Sequence, residues 1–444
     1  MVELPEEVRV TRETVREIGE VEGNLVVQDG TVRAMEPGGV VKVAGVTDCR
    51  DDCQFLASLV TSELRGRGGD IEIEGDLTVE KSIRVRRGEL DVSGNLRAKK
   101  IEVDRRLGVG GEFETEDVRV GGSLRVRGDA KASRLDVGGS FKASSDAEVE
   151  EIDVGGSVRV EGSTKSGTIN VGGSFQGEGQ VEAEIIDVGG SVKIESEATV
   201  REIDVGGTVK MSGGTARDVK VGGSFRSSDP LVFERIRVGG TVKISGGKGG
   251  DIDVGGTLRS EGDLTFETID VGGTVKIEGS ANGRNIEVGG SVNVSDDLEL
   301  SEELRVGGKA SAGGKLKARA VLVGGKVEAE RVEAVEEIRT NTLRTRSGAK
   351  AEYIEIGRRG EVEGTLIGRK VLIRERARVE DVYADMVTLR KGCRAGNIYA
   401  NSITVEHDCR VSGEVKYTES LQADRDVRFY SQPEKTEKLP EPPF

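Results

Sequence analysis

The chain has 444 residues, among them 65 glycines and 7 prolines, with 3% aromatics and no tryptophan. That composition excludes a thick core of large interlocking side chains and leaves a thin one of Val, Ile, Leu and Ala. The formal net charge of −15 comes from 80 acidic and 65 basic residues spread along the whole length, which argues against sequence-independent binding to nucleic acid.

Residues 1–70 read as an N-terminal cap. They open with MVELPEEVRVTRETVREIGE, which has no apolar run of signal-peptide length, and no membrane-spanning apolar run follows anywhere. A cytoplasmic protein is therefore expected, free or resting on a membrane surface. Short strand-like pieces come next (GNLVVQ, GTVRA and GVVKVAG). Over 49–65 the period changes, with Phe55/Leu56, Leu59/Val60 and Leu64 at helical spacing, Asp48 placed to cap the start and Gly66 to end it. This predicts the one helix of the chain, covering or flanking the first turns. Cys49 and Cys53 would sit one turn apart on it, half a zinc site at most.

Residues 71–345 are dominated by one repeat. Val-Gly-Gly starts at Val120, Val137, Val154, Val171, Val188, Val205, Val221, Val238, Val254, Val271, Val288, Val306 and Val323, in steps of 16, 17 or 18 residues. Within one repeat, apolar residues alternate as Ile186/Val188, Val192/Ile194 and Ala198/Val200, which predicts three short strands with two inward residues each. Such a turn cannot bury its inner face alone. It must stack, strand over strand, at about 4.8 Å per turn. The expected fold is all-β, a single-stranded parallel β-helix (β-solenoid). From Ile71 to Tyr430 about 21 turns would make a rod on the order of 100 Å long. The step of 11 residues from Val92 to Val103 suggests a turn lacking one side, and hence a kink. The glycine pairs mark a corner that needs φ > 0. They are no phosphate loop, because G-x-x-x-x-G-K-[ST] is absent and no helix follows them.

Two exposed columns accompany the repeat. The first is basic: Arg125, Lys142, Arg159, Lys193, Lys210, Arg226, Lys243, Arg259 and Lys276, interrupted by Gln176 and Asn293. It could bind a polyanion, but the acidic column Asp136, Asp153, Asp187, Asp204, Asp253 and Asp270 is the expected counterweight. The second is Ser or Thr from Ser123 to Ser291, with hydroxyls expected to bond the corner backbone. Nucleophilic catalysis there would need a base, and the sole histidine, His407, is over a hundred residues beyond. Pectin-lyase-like and hexapeptide acyltransferase-like chemistry depends on inserted loops, which this chain almost lacks. No catalytic, cofactor-binding or metal-binding residue is assigned, and no small-molecule substrate is expected.

Residues 346–430 continue the coil. The segments GEVEGTLIGRKVLIRERARVEDVYADMVTLRKGCRAGNIYANSITVEHDCRVSGEVKY, and GNIYANSITV at 396–405 above all, resemble the bactofilin family of polymer-forming cytoskeletal proteins over 352–417. The resemblance implies a right-handed triangular β-helix that polymerises end to end without nucleotide. Here the coil is much longer than is usual in that family, and a helix over the first turn would block that edge, leaving head-to-head pairing through the C-terminal end as an alternative. Cys393 and Cys409, 16 residues apart, should stack in adjacent turns. All four cysteines are expected as reduced thiols, too few for a disulfide framework. Residues 431–444, rich in Pro and Glu, are expected to be a disordered tail. The resulting expectation is a scaffold that self-associates as a homopolymer or end-to-end dimer, with a membrane surface or other scaffold proteins as further partners; a rod that binds an anionic surface, polysaccharide or partner protein through its basic column is the alternative.

Overall fold

The structure, a computed structural model, describes residues 7–12 and 15–444; residues 1–6, 13 and 14, part of the expected cap, lie outside it. The chain winds about 25 turns of right-handed parallel β-solenoid, divided between two compact units, Met1–Gly223 and Ser224–Phe444.

In the first unit a coil is well seen at Ser140–Ala143 and Ala147–Val154. Phe141 and Ala143 point inward from the first strand. In the second strand the inward phase slips by one residue at 150–151, so Ala147/Val149 and Ile152/Val154 form two further sides. Each coil lies in register on the next: Ala130 pairs with Ala147 and Ala147 with Thr164, Val137 with Val154 and Val154 with Val171. Over 224–312 of the second unit the three sides are separate strands, as at Ser224–Ser227, Leu231–Val232 and Arg235–Val238, whereas Lys315–Glu363 is one continuous strand. Ile186, Val188, Val192, Ile194, Ala198 and Val200 are all at most 2% exposed, as the alternation requires.

The glycine corners have another cause than the expected one. None of the Val-Gly-Gly glycines has positive φ. The constraint is close approach between coils: the Gly138 N–H donates to Val120 O at 2.9 Å and Gly139 N–H to Gly122 O at 2.8 Å. A Cβ at Gly156 would lie 2.4 Å from the carbonyl oxygen of Gly139. Left-handed backbone occurs elsewhere, at Arg376, Gly392 and Asp408 on successive C-terminal corners, where only one of the three is glycine.

The expected helix is absent. Val40–Leu56 and Ser58–Ile73 are strands, with Cys53, Phe55, Ala57, Leu59 and Thr61 buried in strict alternation. The same apolar residues fit both periods, and stacking decides: Phe55 lies between Val32 and Ile73, and Leu59 between Val41 and Leu77. A short helix here would forfeit these contacts. The expected kink is absent as well. Val92 and Val103 belong to different sides of the coil, Val92 pairing with Val109 and Val103 with Val85 and Val120, so no coil is shortened.

From Leu124 to Ile194 the core of the first unit has a period of two coils. Phe141 and Phe175 are each followed two residues later by a small residue, Ala143 or Gly177, whereas the intervening coils carry Val158/Val160 and Val192/Ile194. A Cβ at Gly177 would come within 2.8 Å of Val181 Cγ2 and 3.5 Å of the Phe175 ring. One large and one small side chain thus occupy the same volume as two medium ones.

Candidate functional site

Six of the nine bases of the column are paired, though not with the acids expected from sequence. Glutamates on the same outer side, two residues beyond a column position in their own or the next coil, hold them. Lys142 reaches Glu161 of the next coil at 2.7 Å, Arg159 reaches Glu178 at 2.6 Å, Lys243 reaches Glu261 at 2.6 Å, and Glu278 takes both Arg259 and Lys276 at 2.7 Å. Where Gln176 interrupts the column, its amide donates to Glu195 at 3.1 Å, and Lys193 reaches the same carboxylate at 2.5 Å. The aspartate column lies across the glycine corner, on a different side. There Asp136 pairs with Arg119 at 2.9 Å and Asp204 with Lys220 at 2.5 Å. Hydrogen bonds from Lys142, Lys193 and Lys276 respectively hold Glu161, Glu195 and Glu278 below the usual carboxylate range. These six bases are committed to neighbouring carboxylates, while Arg125, Lys210 and Arg226 are not among the described residues, so the column presents no uniform positive track.

A groove of about 1090 Å³ is lined by outward residues of successive coils of the first unit. Its rows repeat every two coils: Glu114, Glu148 and Glu182 alternate with Lys131 and Lys165. Arg97, beside the groove, pairs with Glu114 at 2.5 Å and Lys131 within it with Glu148 at 3.9 Å, so part of its charge is offset locally.

The thiols and the histidine assemble no reactive centre with the hydroxyl column. Cys49, Cys53, Cys393 and Cys409 are all at most 2% exposed. Arg394 pairs with Arg410, which sets Cys393 and Cys409 in neighbouring coils as expected; their Sγ–H groups donate to Arg374 O at 2.9 Å and Arg390 O at 3.0 Å. A hydrogen bond within each pair, then burial, raises the thiol of Cys49 and that of Cys393. His407 Nδ1 lies 3.7 Å from Asp424 Oδ2 on an exposed corner, several coils from the last Ser of the column. At the Ser/Thr column the bond to the corner is made by the backbone, as from Ser140 N–H to Gly122 O at 3.3 Å.

The C-terminal end carries two features, the first expected from sequence as an uncovered end and the second not expected. The strand Val415–Ala423 stacks on Ile398–Val405, with Leu421 over Ile403 and Ala423 over Val405, while Phe429 lies over Val411. Here the inward column is open: Leu421 and Phe429 are half-buried, Ala423 is exposed and Tyr430 is 70% exposed. Among the described residues no further strand pairs with Ser420–Ala423 or Arg428–Phe429.

The second feature is an outward column, Ile367, Tyr383 and Tyr399, in register through successive coils. The two tyrosine rings are 4.8 Å apart. Tyr399 is only 8% and Ile367 only 9% exposed although both point away from the core. Burial first, and then a hydrogen bond to Glu414 (3.1 Å), pushes the Tyr399 phenol up to about 12. The signal in the sequence is two tyrosines one coil apart in a chain with few aromatics.

No helix among the described residues is long and apolar enough to cross a membrane. No family model, no curated protein and no solved structure matches this chain.

Proposed function

We propose that the protein is a structural scaffold that self-associates coil on coil through its C-terminal end, in the manner of bactofilins, in the cytoplasm and without catalysis of its own. The observation that carries this reading is the open last coil, where Leu421, Ala423 and Phe429 continue the inward column and the strand edge beside them has no partner among the described residues. An unpaired edge over an exposed apolar column is a template for another coil. The solenoid itself supports a structural role, because its regular corners carry few of the irregular loops on which binding and catalytic groups usually sit. The alternative of a polyanion-binding column is weakened by the glutamates that hold six of its nine bases.

Negative-stain microscopy and sedimentation over a range of salt and concentration test the proposal. Filaments, or dimers joined at one end, are expected for the full chain, and single particles for the Leu421→Asp/Phe429→Asp variant. A full chain that stays single at every concentration, or a variant that assembles as well as the parent, overturns it.

A further inference from the structure

Residues 431–444, expected to be disordered, are held at both ends in the structure. Glu434 and Lys435 pair with Lys416 and Tyr417, and the Thr436 N–H donates to Tyr417 O at 2.9 Å. At the far end the Phe444 ring lies 4.5 Å from the Arg331 guanidinium. It also fills the space beside Gly348, where φ is +107° and a Cβ would meet the ring at 2.4 Å.

The two anchors are separated by the coils of Tyr399, Tyr383 and Ile367, so the segment runs back along the solenoid over that column. Its length fits: eight steps at the polyproline II rise of about 3.1 Å span about 25 Å, whereas an α-helix would span about 12 Å. Four to five coils at about 4.8 Å require about 19 to 24 Å. Of 431–444, Pro433, Thr436, Leu439, Pro440 and Phe444 are partly covered, and beyond the strand Glu434–Lys435 the prolines Pro440, Pro442 and Pro443 restrict φ to the polyproline II region. Aromatic-lined surfaces recognise Pro-rich chains in this conformation because little entropy is lost on docking. The corresponding outward position between the inward pair Ala147 and Val149 of the first unit is an exposed glutamate, Glu148, which shows that coil geometry alone does not bury it.

We infer that the Ile367–Tyr383–Tyr399 column is a docking site for an extended Pro-rich segment, filled in this chain by its own residues 436–444 and open to the same segment of a second copy. The second-copy part rests on the self-association proposed above. The segment leaves the solenoid next to the open last coil, so two copies meeting there bring each segment near the other's column, and exchange creates no new contact type.

The test uses the full chain and a synthetic, fluorescently labelled peptide of residues 431–444. It is read by anisotropy at concentrations where sedimentation shows single particles, so that failure to polymerise leaves the result interpretable. In the Leu439→Asp/Phe444→Ala chain the resident segment is loosened and the peptide binds. The unaltered chain binds at least tenfold more weakly, because its own segment competes at high effective concentration. Adding Tyr383→Asp and Tyr399→Asp abolishes binding without changing the far-ultraviolet circular dichroism. Absence of binding to the loosened chain, or equal binding to all three, overturns the inference.

Discussion

Lys142 Nζ lies 2.7 Å from Glu161 Oε1, a carboxylate of the following coil that also faces Arg159 of its own coil at 3.9 Å. Each glutamate of this series is therefore a rung between coils, and together the rungs resist the separation of one coil from the next.

These rungs give stability a defined pH dependence. Glu161, Glu195 and Glu278 are held below their ordinary value by lysine hydrogen bonds. A depressed carboxylate stabilises the fold above its unfolded value, about 4.3, and loses that contribution as pH falls through the lower folded value. Urea midpoints are expected to fall between about pH 4.3 and the lower folded values, and the triple Gln variant should flatten that slope. Since the groups are exposed, high salt should shrink the effect. An unchanged slope in the triple variant would remove the rungs from the account of stability.

Gly156→Ala is expected to cost about 1–3 kcal/mol, because the new Cβ meets a backbone carbonyl that cannot move without parting two coils. Gly19→Ala, whose Cβ would meet only the flexible Met35 side chain at 3.2 Å, should cost much less. Hydrogen exchange of the flanking coils distinguishes the two, since unfolding of a stacked repeat need not be two-state.

Phe175→Val and Gly177→Val are each expected to destabilise by about 1–3 kcal/mol, the first by leaving a void and the second by overfilling it. Together they reproduce the neighbouring Val158/Val160 coil, so the double variant should recover more than half of the summed loss. A double-mutant cycle measures this directly; strict additivity would show that the two sites do not share one volume.

All four cysteines are buried, and although the hydrogen bond within each pair raises one thiol (Cys49, Cys393) and lowers the other (Cys53, Cys409), each is at most 2% exposed and closed to a reagent. A disulfide reagent should therefore find no fast-reacting thiol in the native protein and four in urea. One rapid equivalent before unfolding would locate an opening of a corner.

The repeating coil was legible because its two signals, period-two alternation and the Val-Gly-Gly corner, are written in one strand at a time. In the 49–65 region Phe55 and Leu59, four residues apart, satisfy helical and strand periods alike, and only Val32, Ile73 and Leu77 in other coils decide between them. The glutamate partners of the basic column were within reach, since residues i and i+2 share an outer face; the aspartates chosen instead lie across a corner whose direction sequence does not reveal. The cover over Tyr383 and Tyr399 was not legible, because Pro and Glu content describes a segment's reluctance to fold on itself and says nothing of a surface built elsewhere to receive it.

The two-coil period of the first unit has a consequence for ancestry. Glu114, Glu148 and Glu182, like Phe141 and Phe175, recur every 34 residues, so a gene segment of that span can be copied or lost while every new neighbour remains a familiar one. Half that span would set Lys131 against Lys165 and break the alternation of large and small side chains. In such a lineage, size changes in paired increments, and the chain can lengthen by duplication without having to invent a new interior.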